Sequence, residues 1–375
     1  MFQFVSSRSI LKHSKRLAGA TFIASFTTAT YHRPVLDRSN ENDQNSIIAG
    51  PKRSQEFFCS EQLPLFSREN TPTFISVAQH ISIGATALAI RILMNTYGEY
   101  NIVNDDNYNH FINLVLGGDG RSEKNQGIIT VSNHRSLFDD PGVVSCLLPL
   151  HMAIQPKYNR WGICSQEFCF SDILPSFIKG YIGAGQVLPI RRGGGIDQKL
   201  FKDFASLLAV GEWVHIFPEG GVWQRDELGG RGRGHTLESM KVDKSKLKWG
   251  VGKLIAHAPT RPRLIPFAHV GMDNLLPQHP ENGKTGLKKK LFGGDPLKVH
   301  VRFGEEIIFD DLIEDYEKKH GSLWKYENQS EGSKWVSSES EKLLYRQITL
   351  RIEKHLEPLT EQVVCRDFSG LKDAS

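Results

Sequence analysis

The stretch Gly127-Ile128-Ile129-Thr130-Val131-Ser132-Asn133-His134-Arg135-Ser136-Leu137-Phe138-Asp139-Asp140-Pro141 decides how this chain is read. Its first six residues form a short β-branched run, the pattern of a strand buried in a sheet. Asn133 and Ser136 suit the turn that follows, Asp139 or Asp140 suits a helix N-cap, and Pro141 suits a first helical turn before the apolar Val143–Leu150 segment. The histidine therefore stands where strand passes into helix. A His five residues ahead of an Asp across such a turn can bring the carboxylate against the imidazole. That contact fixes the tautomer and stabilises the imidazolium formed when the other ring nitrogen takes a proton. Taken alone, N-H-x-x-x-x-D is a short pattern, and a capped turn carrying an ordinary surface His satisfies it equally.

Three segments further along the chain bear on that choice. Tyr181–Arg192 reads as a strand ending in Arg191 and Arg192, followed by Gly193-Gly194-Gly195. Paired guanidiniums beside glycine suit a phosphate, although a solvated loop has the same composition. Trp213-Val214-His215-Ile216-Phe217-Pro218-Glu219-Gly220-Gly221 reads as a strand stopped by Pro and Gly with a carboxylate at its end. Glu219 could orient a substrate hydroxyl or pair with a basic residue. Arg263–Met272 reads as a strand whose Pro266 suggests an edge position and a packing role. With strands near 127–132, 182–190, 213–217, 263–269 and 297–303, and helices near 141–150, 197–210, 247–258 and 306–319, the expectation is an α/β fold with helices layered against a mixed sheet. A base with no protein nucleophile beside it activates a hydroxyl brought by the substrate, so acyl transfer to an alcohol is the natural chemistry.

In that order, N-H-x-x-x-x-D, P-I-x-R, F-P-E-G and the I-P strand resemble the glycerolipid acyltransferase superfamily. The narrower resemblance is to its phospholipid–lysophospholipid transacylases, which remodel cardiolipin. It rests on Asn133-His134 with Ser136, Asp139, Asp140 and Pro141, on Arg160-Trp161, on Gly211 with Trp213–Gly220, on Lys248-Trp249-Gly250 with Gly252, and on His269-Val270-Gly271-Met272. The likeness covers roughly residues 73–310. It implies His134 as catalytic base, Asp139 as its partner, Arg191 as a phosphate contact and Glu219 as a substrate-orienting residue, with Asn133, Ser136, Asp140 and Gly220 also lining the substrate. It further implies phospholipid and lysophospholipid substrates and no cofactor or metal. Gly221-Val222-Trp223 replaces the Thr-Arg-Ser that many members of the superfamily carry after F-P-E-G, which argues against a soluble glycerol-phosphate substrate. The glycine- and arginine-rich segment Arg225–Lys246 is longer than the family usually carries and reads as a mobile loop near the site. Competing readings are an acyl-coenzyme-A-dependent lysophospholipid acyltransferase using the same residues, a metal-dependent hydrolase built on His134, Asp139 and Asp140, and a non-catalytic lipid-binding protein of the membrane interface.

Composition agrees with a globular, membrane-surface enzyme. Hydrophobic residues make up 39% and charged residues 23% of the 375-residue chain, which excludes a wholly disordered chain and a polytopic membrane protein. The net charge of +4 is concentrated at the start, where Arg8, Lys12, Lys15, Arg16 and Arg33 face no acid. The rest is close to neutral, which argues against nucleic acid as the main ligand. Residues 1–36 read as a Ser/Thr-rich basic amphipathic transit peptide, for a mitochondrion first and a plastid second, with a disordered basic tail as the bland alternative; the expected location is a mitochondrial membrane, or else a plastid or endoplasmic reticulum membrane. Residues 37–72 read as a linker and 73–96 as a membrane-interface helix, because its clean apolar run, Ile81–Ile90, makes only about 15 Å of helix. Arg91 could then snorkel to headgroups, while a buried core helix is the competing reading. Residues 97–312 would form the catalytic domain and 313–375 a C-terminal helical extension, with Leu343, Leu344, Ile348, Ile352 and Leu356 near one helical face. Basic residues in 225–248 and at Lys284, Lys288, Lys289 and Lys290 suit anionic lipid or a solvated loop. The odd count of 5 cysteines disfavours a disulfide framework, and Cys164 and Cys169 read as buried apolar residues.

Overall fold

A computed structural model describes residues 72–119, 125–222, 224, 247–258, 260–277, 297–323 and 336–372. The leader, most of the linker, the 225–246 segment and the 284–290 lysines lie outside these residues. The elements are α1 (Thr73–Tyr97), β1 (Gly98–Ile102), α2 (Asp106–Val115), β2 (Ile128–Ser132), α3 (Asp139–Gly142), α4 (Leu150–Ala153), β3 (Gly162–Ser165), α5 (Gln166–Cys169), α6 (Ser176–Ala184), β4 (Val187–Ile190), α7 (Lys199–Ala209), β5 (Trp213–Ile216), α8 (Gly250–Ala256), β6 (Arg263–Val270), β7 (Leu297–Phe303), α9 (Asp310–His320) and α10 (Glu339–Lys372).

The main sheet runs β1-β7-β6-β2-β5. β5, β2 and β6 are parallel, β7 is antiparallel to β6, and β1 is parallel to β7. A parallel pair, β3 with β4, continues beyond β5 through a bridge from Trp161 to Val214. The sheet is mixed, as its sequence implies. All five residues of β2 are buried, because helices cover both faces of this central strand. Ile129 and Val131 point to a core with α7, α8, α9 and α10, whereas Ile128 points to a second core with α1, α2 and the 143–153 segment.

Several expectations need correction. Residues 181–184 are the last turn of α6, and the strand begins only at Val187. Gly180, Gly183 and Ala184 form a small buried face that lets α6 sit close to α1, where Ser82 donates to the Tyr181 carbonyl at 2.8 Å and Thr86 shares a 2.6 Å hydrogen bond with the Tyr181 hydroxyl. The helix expected over 141–150 breaks into α3, a 3₁₀ turn at Val144–Cys146, and α4, which starts after Pro149. The helix expected from 306 starts at Asp310, because Ile307 bridges to Leu264 and Glu306 pairs with Arg263 and His110. Pro266 lies in an interior strand. Its backbone faces the gap between the Leu264–Ile307 bridge and the Phe267–Phe303 pair, where no ladder donor is needed, and its carbonyl accepts from Gly304. β1, α2 and β3 had no counterpart in the expected element string.

The apolar window is a continuous helix of 25 residues, long and apolar enough by length and composition to cross a membrane. One face, with Ile75, Ala78, Ile83, Ala87, Ile90 and Met94, packs on the body; the other exposes Phe74, Val77, Leu88 and Ile92. Arg91 does not reach outward, since its guanidinium donates to the Leu148 carbonyl. The C-terminal helix is part of the core. Leu344, Tyr345, Ile348, Ile352 and Leu356 are buried, and Gly252 of α8 sits so close that a Cβ there would lie 2.4 Å from the Tyr345 carbonyl oxygen. Leu343 alone of the five expected apolar positions faces solvent.

Cys164 and Cys169 are joined in a disulfide that ties β3 to α5, and neither is fully buried, contrary to the reading of two free apolar residues. They are five residues apart across a strand-to-helix corner, which brings their α-carbons to 6.0 Å.

Candidate active site

Because β2, β5 and β6 are parallel and adjacent, their carboxyl ends meet on one edge of the sheet, where open α/β sheets place their ligands. Asn133 and His134 leave β2 there, Phe217-Pro218-Glu219 leaves β5, and His269-Val270-Gly271 ends β6. Segments separated by 85 and 136 residues in sequence are thereby in hydrogen-bond contact.

His134 Nδ1 lies 2.9 Å from Asp139 Oδ2. The same oxygen accepts the backbone N–H groups of Arg135 at 2.6 Å and Ser136 at 2.7 Å, so the turn itself holds the carboxylate in place. Asp139 is fully buried, whereas the His134 side chain keeps 17% of its surface exposed. An ionised carboxylate only accepts, so Nδ1 carries the proton and Nε2 presents a lone pair. The imidazole stacks on Phe217, with ring centres 4.1 Å apart and planes at 17°. The backbone N–H of His134 donates to Glu219 Oε1 at 3.3 Å. The described geometry is that of an oriented general base with no serine or cysteine nucleophile bonded to it.

Two further histidines lie beneath this one. Trp213 Nε1–H donates to Thr130 Oγ1 at 2.8 Å, and the Thr130 hydroxyl then donates to His215 Nδ1 at 2.8 Å. That order leaves His215 Nε2–H directed at Ser132 Oγ, 3.5 Å away, and the Ser132 hydroxyl donates to the Asn133 carbonyl at 3.1 Å. His269 is buried on the other side, with Nε2 donating to the same Asn133 carbonyl at 2.9 Å. Burial holds both imidazoles below the usual histidine range; His215 is held well below it, and nearby Arg160 adds to that effect. Both are therefore neutral.

The other expected site residues are placed as follows. The Asn133 side chain locks onto the His269 backbone, donating to its carbonyl at 2.8 Å and accepting its N–H at 3.0 Å. Ser136 is buried, and its hydroxyl accepts the N–H of Phe138 at 3.3 Å. Asp140 turns both oxygens onto Arg160, each 2.7 Å away, in a bidentate ion pair. Arg191 follows β4, and Gln198 ties its backbone down by accepting its N–H at 2.9 Å and donating to its carbonyl at 3.0 Å. Gly193 and Gly195 turn the chain there with φ of 74° and 73°, a backbone that only glycine adopts easily. Gly220 also has positive φ, 70°, and packs over the side chain of Lys248. Asn133, His134, Asp139 and Glu219 thus come together, whereas the Asp140 carboxylate is paired with Arg160 and the Arg191 backbone is tied to Gln198. Sequence reasoning quoted Arg160, His215 and His269 within motifs but gave none of them a task. Their partners are distant in the chain, and no local spacing reports them.

Residues 113–270 match the family model described as acyltransferase. The chain is 29% identical over 238 residues to a tafazzin of Drosophila melanogaster, covering 63% of this chain and 56% of that protein. It is 35% identical over 183 residues to an N-acylphosphatidylethanolamine synthase of Arabidopsis thaliana, covering 49% and 56%. A Dictyostelium discoideum protein named taffazin is 26% identical over 281 residues, covering 73% and 85%. The chain therefore spans little more than half the length of the first two of these relatives. The matched segment runs from α2 to the end of β6 and contains every strand end that builds the site, so the site lies within the stretch that matches the acyltransferase model and is similar in sequence to tafazzins.

Proposed function

We propose that the protein is a transacylase that moves an acyl chain from a phospholipid to a lysophospholipid, as in cardiolipin remodelling. The observation that carries this reading is the His134 Nδ1–Asp139 Oδ2 contact of 2.9 Å at the shared carboxyl end of three parallel strands. The free glycerol hydroxyl of the lysophospholipid hydrogen-bonds to His134 Nε2. As its oxygen attacks the ester carbonyl of the donor, the imidazole takes the proton and Asp139 stabilises the resulting cation. Collapse of the tetrahedral intermediate releases the donor's glycerol oxygen, which takes the proton back from His134. One ester is broken and one formed, and no coenzyme is consumed.

Arg191 is assigned to the headgroup phosphate and Glu219 to the acceptor side of the site, together with Gly220. Asn133, Ser136 and Asp140 act as the frame around the base. The exposed face of α1 would lie in a membrane interface, with Phe74, Val77, Leu88 and Ile92 among the acyl chains. With the basic leader this supports a mitochondrial membrane location, with a plastid or endoplasmic reticulum membrane as the alternative, and a surface rich in anionic lipid.

A second reading, transfer to the amine of phosphatidylethanolamine, is favoured by the 35% identical plant relative. The same base would serve, and an amide would be formed in place of an ester. Purified protein given vesicles of an acyl-labelled phospholipid and a lysophospholipid, without acyl-coenzyme A, tests both. The expected result is labelled acyl ester on the former lysophospholipid, abolished in His134→Ala. Transfer only after acyl-coenzyme A is added, or labelled amide alone, would replace the proposal.

A further inference from the structure

The peptide unit that joins Asn133 to His134 is held at both ends by hydrogen bonds to side chains. Its carbonyl accepts from His269 Nε2 at 2.9 Å and from Ser132 Oγ at 3.1 Å, and its N–H donates to Glu219 Oε1 at 3.3 Å. His269 is fully buried and lies 3.7 Å from Asp139 Oδ2, too far for a hydrogen bond. With Nε2 committed to the carbonyl, its Nδ1 has no hydrogen-bond partner among the described residues. A buried neutral imidazole with an unsatisfied nitrogen costs stability that an apolar residue of similar size would not. What the polar ring gains there is its bond to the Asn133 carbonyl. The Asn133 side chain forms two more bonds to the His269 backbone, so the ends of β2 and β6 cannot separate without releasing this peptide.

We propose that His269 is a positioning residue for the base: as a neutral Nε2–H donor it fixes the plane of the 133–134 peptide, and through it the direction in which His134 leaves the backbone. His215 supports the same carbonyl from the opposite side by orienting the Ser132 hydroxyl. Rotation of that plane swings the imidazole about its α-carbon while the Asp139 carboxylate stays with the turn amides. A displacement of about 1 Å at a catalytic group can cost about 100-fold in rate. This inference rests on the acyl-transfer reading for its kinetic test but not for its spectroscopic one.

The test compares His269→Met, which removes the donor at similar volume, with His269→Gln, whose amide nitrogen can occupy the place of Nε2, and with Ser132→Ala. In the vesicle transfer assay, His269→Met is expected to lower kcat about 100-fold with KM for lysophospholipid unchanged, His269→Gln to stay within about 3-fold of wild type, and Ser132→Ala to fall between them. Equal rates for the Met and Gln variants, whether high or low, would overturn the proposal. So would a loss confined to KM. If His269→Met does not fold, Ser132→Ala decides: a lower kcat at constant KM supports the clamp, and a wild-type kcat overturns it. If the wild type transfers no acyl group, the functional reading fails by itself. The downfield Nδ1 proton of His134, observed by NMR, then decides the clamp. It should be present in wild type and His269→Gln and broadened or shifted in the Met variant; an unchanged signal in all three refutes it.

Discussion

Asp139→Asn isolates the electrostatic part of the mechanism, because it removes one charge and little volume. Oδ2 of Asp139 holds His134 Nδ1 at 2.9 Å and two backbone N–H groups at 2.6 and 2.7 Å. An asparagine can keep its oxygen in that place and its amide where Oδ1 lies buried without a hydrogen-bond partner among the described residues. With charge centres about 4 Å apart, an imidazolium and a carboxylate attract by about 4 kcal/mol at an effective dielectric of about 20. That attraction exists only while His134 carries the proton, so it lowers the barrier and leaves ground-state binding unaffected. It corresponds to about a 1000-fold fall in kcat with little change in KM. The buried, unsatisfied amide costs about 1–3 kcal/mol of stability in addition. Transfer of labelled acyl groups between vesicle lipids gives kcat and KM, and thermal unfolding gives the stability change. A variant retaining more than a tenth of wild-type kcat, or one that loses only KM, would refute the reasoning.

Two further outcomes follow from groups outside the reacting pair. His215 and His269 are neutral in the fold because burial depresses their affinity for protons below the ordinary histidine value of about 6.5, whereas the unfolded chain takes up protons as pH falls through that value. Their contribution to stability is therefore complete above about pH 6.5 and lost as pH drops below it, each by up to about 1.4 kcal/mol per pH unit. Unfolding midpoints measured from pH 7.5 to 5.5 should fall steeply for the wild type and less steeply for His269→Gln; parallel slopes would contradict this. Arg160→Met leaves the Asp140 carboxylate without its bidentate partner at the corner between α3 and β3, and should destabilise the fold by about 3–5 kcal/mol. Arg160→Met with Asp140→Leu should recover most of that loss in the same melt.

The local parts of the site were readable because they obey short-range chemistry. β2, the turn at Asn133–Ser136 and the meeting of His134 with Asp139 all follow from fifteen consecutive residues. β5, β6 and β7 were legible from β-branched runs, and β7 was found at its observed bounds, Leu297–Phe303. What sequence reasoning lost is what depends on partners far along the chain. Tyr181–Ala184 looks extended by composition, but its small residues find the face of α1 and stay helical. Cys164 and Cys169 gave no signal because a five-residue spacing fits a free pair as well as a bonded one. Asp140 came from the family resemblance, and no local spacing reports that Arg160, twenty residues on, already holds both of its oxygens. His269 looked like packing, since a buried strand histidine has no pattern of its own until the carbonyl that it serves is known.

The order of strands in the sheet has a consequence for how the protein comes into being. The imidazole and its acid arrive early in synthesis, within six residues of each other, yet the strand that braces them from the far side is completed only at Val270. Between those two points the ribosome has still to deliver α4 to α8 and the strands β3, β4 and β5. Closure of so long a loop is slow compared with local turn formation. A nascent chain that ends before β6 therefore carries His134 and Asp139 without the strand whose His269 braces the peptide between Asn133 and His134.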